Sequence, residues 1–183
     1  IMPSLVGSEM CIRDRDYKIM NKIQIYLGGD MLSTGSQMRR EWEKNKLQNL
    51  GFDVYSPQDD KSINDKSNAK QDKLAERIVE NDVKGMETSN VMIFDYLPHA
   101  QGTICEMGYA QRLKHELKYG DEYPKIFVQC TDIRQGTGHI PIEQDRMEFS
   151  INQYVYGVIM DLTDGQGIQT FDEICDEIKK IEF

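Results

Sequence analysis

Two hydrophobic periods alternate along this chain. Short β-branched runs are separated by longer stretches in which apolar residues return every three to four positions, the signature of a parallel sheet covered by helices. Ile23–Leu27 predicts a first strand that ends in Gly28-Gly29-Asp30. Ser36 is expected to cap a helix running to Leu50, with Gly51 as its stop. Phe52–Tyr55 predicts the second strand, closed by Ser56-Pro57, and the polar stretch Gln58–Ala69 is too long for a mere turn. A helix follows over Gln71–Thr88, then a third strand over Val91–Asp95 whose unbroken apolar run suits burial on both faces. Gly102-Thr103 opens a helix to Tyr119, and Lys125–Cys130 predicts the fourth strand. Ile151, Tyr154, Val155, Val158, Ile159 and Leu162 recur at helical spacing, which favours a helix, although their β-branched content leaves a strand open. Phe171–Ile181 predicts a last helix.

The expected fold is therefore α/β: a doubly wound parallel sheet of four to five strands in three αβα layers, forming one domain. In such sheets ligands bind beyond the carboxyl ends of the strands, where the strand order reverses. Gly28–Ser36, Ser56–Ser67 and Tyr96–Glu106 should converge there.

Composition narrows the partners. Among 183 residues, 31 acidic side chains against 22 basic ones give a net charge of −9, which disfavours nucleic-acid polymers but not a mononucleoside. No apolar run is long enough to span a membrane. Cys11, Cys105, Cys130 and Cys175 form no CxxC pair, and His99, His115 and His139 show no ligand spacing, so no metal is expected and a reducing cytoplasm fits. The first fifteen residues, IMPSLVGSEMCIRDR, have no periodicity and resemble translated sequencing-adapter sequence. Residues 1–19 are accordingly expected to be a non-native or disordered extension, with Met20 the natural start and 20–183 the domain.

Several residues carry candidate chemistry. Gly28 and Gly29 belong to neither a dinucleotide nor a P-loop fingerprint; they suit close approach of a small ligand or a plain strand-to-helix turn. Thr103 and Glu106 have capping-box spacing, and the same helix N-terminus would hold Glu106 ionised and aimed at the crevice as a nucleophile. Asp82 breaks its surroundings. At about 100° per residue from Leu74 it falls inside the arc of Ile78, Met86, Val79 and Val83, so it is either a buried hydrogen-bonded group or an acid with a raised pKa. Tyr26 alternates toward a helix-covered face, and Trp42 and the methionines read as core and gap-filling residues. His99 reads as a bystander on its loop.

Ile25-Tyr26-Leu27-Gly28-Gly29, Glu80-Asn81-Asp82 and Gly102-Thr103-x-x-Glu106-Met107-Gly108-Tyr109-Ala110 together resemble the nucleoside 2-deoxyribosyltransferase family over about Lys22 to Leu162. The resemblance implies a flavodoxin-like fold and exchange of the base on a 2′-deoxynucleoside by double displacement without metal or organic cofactor. It implies Glu106 as nucleophile on C1′, Tyr26 as the residue positioning it, and Asp82 near the base as proton donor. Gly28, Gly29, Asp30, Gln101 and Gly102 are the expected substrate-binding residues. Asn152, in Ser150-Ile151-Asn152-Gln153-Tyr154, matches an asparagine that reaches the 5′-hydroxyl in a neighbouring subunit, which implies a homo-oligomer with a shared site. Partners are then a deoxynucleoside and a free nucleobase, in a cytoplasmic salvage role.

One departure stands out. Ala100 occupies a position where the family often has Asp; Asp30, Asp95, Gln101 or the polar Gln58–Asn68 loop could substitute. Ser33, Ser36, Arg39 and Arg40 keep alive an N-glycosidase that hydrolyses a (deoxy)nucleoside 5′-monophosphate, and a non-catalytic nucleoside sensor is the third reading. Deleting residues 1–15 is expected to leave melting temperature and activity unchanged; a large fall in melting temperature would show that this segment packs on the domain.

Overall fold

A computed structural model of the chain describes residues 23–64, 70–117, 124–132 and 151–181. The expectations for the N-terminal extension and the end of the polar loop lie outside these residues. Strands β1 (Gln24–Gly28), β2 (Asp53–Tyr55), β3 (Val91–Asp95) and β4 (Lys125–Gln129) form a wholly parallel sheet in the order β2-β1-β3-β4. The order reverses between β1 and β3, as a doubly wound fold requires. Beyond β4 the described chain adds one parallel bridge, Val128 to Ile168, in place of a fifth strand.

Helices α1 (Thr34–Asn49), α2 (Lys61–Asn64), α3 (Leu74–Glu87), α4 (Gln101–Leu117), α5 (Gln153–Leu162) and α6 (Phe171–Ile178) cover the sheet. The run at 153–162 is thus helical, its apolar stripe of Tyr156, Ile159 and Leu162 buried. Strand alternation splits the core in two. Ile25, Leu27, Val91, Ile93 and Phe127 pack against Leu47 of α1 and the buried face of α6. Tyr26, Met92, Phe94, Ile126 and Val128 pack against Met86 of α3, Met107 and Ala110 of α4, and α5. All five residues of β3 are buried, as its apolar run predicts.

Three local expectations change. Ser33, not Ser36, caps α1: its hydroxyl accepts from the Ser36 amide, while the Ser36 hydroxyl donates to Asp30 at 2.6 Å. Thr103 is not an N-cap, because a tight turn through Leu97–Ala100 starts α4 at Gln101 and moves Glu106 into the second turn. The capping box expected from Thr103 and Glu106 therefore does not form. Trp42 is 47% exposed and packs at a tilt beside Phe171, with the cationic groups of Arg39 and Lys46 near its ring, rather than in the core. Met38 is also exposed, whereas Met86, Met92 and Met107 are buried.

Parity also decides what sits at the carboxyl edge. Asp95 and Gln129 end their strands toward α1, where Arg40 and Glu43 point inward. Arg40 Nη2 meets Asp95 Oδ2 at 2.7 Å and Nη1 meets Glu43 Oε2 at 2.8 Å, all three side chains being almost wholly buried. Gln129 donates to Glu43 at 2.8 Å and the Thr131 hydroxyl donates to Asp95 at 2.8 Å. Burial pushes both carboxyls up despite the guanidinium between them. Replacing Arg40 by Met is expected to cost about 3–5 kcal/mol at neutral pH, because two buried carboxylates lose their counter-charge. Chemical denaturation should show the loss shrinking as pH falls and those carboxyls take up protons.

Candidate active site

The opposite face of the same edge holds a different cluster. Tyr26 and Gly28 of β1 point toward α3 and α4, and Asp82 and Glu106 enter from those helices. An added Cβ at Gly28 would lie 2.8 Å from Glu106 Oε2, 2.9 Å from Phe94 Cδ1 and 3.0 Å from Tyr26 Cε1. Gly28 is therefore needed so that a carboxylate can lie against the strand backbone. On α3 the buried arc runs through Asp82, Gly85 and Met86; Asp82 is inside it as its wheel position predicts, whereas Val79 is 62% exposed. The hydroxyl of Tyr109 donates to Glu87 at 2.5 Å and ties α4 to α3, so the two carboxylate-bearing helices are held together.

Four buried oxygens meet here without a hydrogen-bond partner: the hydroxyls of Tyr26 and Tyr55, Oδ1 of Asp82 and Oε2 of Glu106. Such atoms are rare in native interiors and point to a site made for something else. The Tyr26 hydroxyl lies close enough to Glu106 to favour its carboxylate as a hydrogen-bond donor. Burial and the nearby Asp82 push Glu106 up to about 7, with Tyr26 opposing. Burial and Asp60 push Asp82 up to about 6, with Tyr55 opposing. The expectation that the helix terminus holds Glu106 ionised is thus corrected: from the second turn the dipole is weak, and desolvation wins. Because Asp82 opposes a charge on Glu106, the two carboxyls do not ionise independently.

The profile of the nucleoside 2-deoxyribosyltransferase family matches residues 25–168, which include both carboxylates and all of the sheet but Gln24. The chain belongs to that family. An uncharacterised protein of Ureaplasma parvum serovar 3 is 26% identical over 147 residues, covering 76% of this chain and 84% of the relative. A conserved protein of Enterococcus faecalis V583 superposes with a TM-score of 0.61 at 20% identity over 87% of this chain and 98% of its own. The 2-deoxyribosyltransferase of Bacillus psychrosaccharolyticus superposes with a TM-score of 0.54 at 13% identity over 87% and 93%. At these identities the two structures bear on the fold alone.

Within this family fold, the other expected residues divide. Gly29 faces Arg40, whose Nη1 would be 2.7 Å from an added Cβ. Asp30 is buried near the mouth; burial opposes its ionisation, but the Ser36 hydroxyl and Leu32 amide outweigh it and hold the carboxyl below its usual range. His99 Nε2 lies 3.8 Å from Asp30. Gln101 and Gly102 are exposed at the start of α4, and Asn152 caps α5 by accepting from the amides of Tyr154 and Val155. Asp95 cannot replace the aspartate missing at Ala100, because Arg40 and Thr131 occupy it on the other face of the sheet.

Candidate phosphate ligands are engaged too. Ser33 caps α1, Ser36 binds Asp30, Arg39 binds Glu43 at 2.6 Å, and Arg40 is buried between carboxylates. Tyr55 and Gly85 were not among the expected residues. A glycine inside the buried arc of α3 was the one visible signal for the pair. Among the described residues no group of three His, Cys, Asp or Glu side chains could hold a metal ion, and no helix is long and apolar enough to cross a membrane.

Because the folded chain holds the Glu106 proton more tightly than the unfolded chain, this group favours the native state at low pH. That contribution is lost as pH rises through about 7. Glu106→Gln should therefore be more stable than wild type at pH 8, on the order of 2–3 kcal/mol, and equal to it near pH 4. Denaturant titrations at the two pH values measure this difference; an equal difference at both would remove the buried-carboxyl account.

Proposed function

We propose that the protein exchanges the base of a 2′-deoxynucleoside through a covalent deoxyribosyl–Glu106 intermediate. The observation that carries this reading is the set of unpartnered buried oxygens around two carboxyls whose proton affinity burial raises, on the scaffold of this family. A carboxylate at Glu106 attacks C1′ while Asp82 gives its proton to the departing base nitrogen. The C1′–N bond breaks as the C1′–O ester bond forms. An incoming base then attacks C1′, returns a proton to Asp82 and frees Glu106, and two inversions give retention. Tyr26 orients the nucleophile, and the negative charge of Glu106 favours the oxocarbenium-like transition state.

On this reading Gly28, Gly29, Asp30, Gln101 and Gly102 are the residues assigned to the sugar and base. Asn152, an uncharged partner, suits a free 5′-hydroxyl contributed to a neighbouring copy's site. The engagement of Ser33, Ser36, Arg39 and Arg40 in structural bonds favours a nucleoside over its 5′-monophosphate.

Deoxyadenosine with free cytosine should yield deoxycytidine, and deoxyadenosine 5′-monophosphate should serve poorly. Rapid base release from the monophosphate alone, indifferent to cytosine, would assign a hydrolase instead. Glu106→Ala should abolish exchange in a folded protein, and Asp82→Asn should lower kcat by about 10²–10⁴. Since the working state carries one proton on the pair, kcat/KM should follow a bell with its maximum between pH values of about 6 and about 7. A profile flat across that range would dismiss the shared proton.

A further inference from the structure

Tyr55 leaves the end of β2 opposite Tyr26, its register partner on β1. The two rings stack with centroids 5.7 Å apart and planes 21° apart. On the far side the ring lies against the backbone of α3: a Cβ at Gly85 would come 2.6 Å from Tyr55 Cε1 and 2.7 Å from Cδ1. Gly85 follows Asp82 by almost one helical turn, so the missing side chain brings the ring onto the same face as the carboxyl. The ring is clamped from two sides, which fixes where its hydroxyl lies.

That hydroxyl is buried and has no other partner, and the same is true of Asp82 Oδ1. Asp82 is faced by Tyr55 from β2, Tyr26 from β1, Glu106 from α4 and Asp60 from the loop after β2. Its own helix adds Asn81, whose amide is turned to Asp60 at 2.8 Å. Burial and Asp60 oppose a charge on Asp82, and Asp82 in turn opposes one on Glu106. Among these neighbours Tyr55 is the hydroxyl that favours the Asp82 carboxylate, as Tyr26 favours that of Glu106. Burial and the surrounding carboxylates push the Tyr55 phenol well above its ordinary value, so it stays a donor.

We propose that Tyr55 is a positioning residue for the base-exchange reaction proposed above, donating its hydroxyl hydrogen to the Asp82 carboxylate formed when Asp82 protonates the departing base. No proton leaves Tyr55. The hydrogen bond forms as Asp82 loses its proton to the base nitrogen, and it is given up when the incoming base returns one. A hydrogen bond made to the charged form alone makes the donation step easier and keeps Asp82 turned toward the base.

Tyr55→Phe tests this, because it keeps the ring, the stack and the contact with Gly85. The variant should melt within a few degrees of wild type while kcat for deoxyadenosine–cytosine exchange falls about ten- to a hundredfold, with KM nearly unchanged. Loss of the donor raises the proton affinity of Asp82, so the centre of the kcat/KM bell should move to higher pH. Carboxyl-carbon NMR of the substrate-free protein should show Asp82 itself titrating at higher pH in the variant. Gly85→Ala, which displaces the ring, should shift the same resonance in the same direction. An unmoved Asp82 titration in folded Tyr55→Phe overturns the proposal, even if kcat falls. If wild type performs no base exchange, the proposed function fails by itself, and the NMR titration still decides the contact between Tyr55 and Asp82.

Discussion

Arg40 lies between Asp95 and Glu43 with almost no access to water, and the carboxyl edge of the sheet is arranged around that pairing. A guanidinium is suited to this place because it stays charged and offers planar donors to two carboxylates at once. It reaches Asp95 on β3 directly, Gln129 on β4 through Glu43, and the glycine loop after β1 by lying where a Cβ of Gly29 would be. Three strand ends are thereby set relative to α1. A buried ion pair adds little net stability over an apolar replacement, but removing one partner is severe, so the network fixes geometry more than it strengthens the fold.

Behind that fixed edge the other face can carry a cluster that works against stability. The Glu106 Oε2 and Asp82 Oδ1 atoms are buried without partners, and loss of water above all raises the proton affinity of both carboxyls. Gly28 and Gly85 supply the space: one admits the Glu106 carboxylate against β1, the other admits the Tyr55 ring against α3. The remaining core on this face is apolar and ordinary. Departure from good packing chemistry is thus concentrated where the strand order reverses, as expected where function competes with stability.

The division between the two faces also bears on the substrate. Four residues of α1 and its approach could have read a 5′-phosphate, yet each is committed to capping, to Asp30 or to the buried ion network. For the activity proposed above, the carboxylate cluster and the chain's net charge of −9 favour a neutral nucleoside over an anionic one.

The sequence by itself determined the element types and the sheet, because hydrophobic period and turn residues are local signals. β3 followed from its unbroken apolar run, whereas at 153–162 periodicity favoured a helix and β-branched content left a strand open until packing decided it. Asp82 was legible as a carboxylate inside an apolar arc, and Glu106 through its resemblance to a family segment. Tertiary structure decided what depends on neighbours distant along the chain. Val79 and Trp42 are exposed because no layer covers them there, and Thr103 is not a cap because the turn before it closes earlier. Arg40 could not be told from a surface arginine until β3 and β4 brought Asp95 and Gln129 beside α1. Tyr55 became part of the site only when parallel pairing set it opposite Tyr26 and a glycine let α3 approach. Period two assigns side chains to faces, but only strand register and helix approach decide which of them meet.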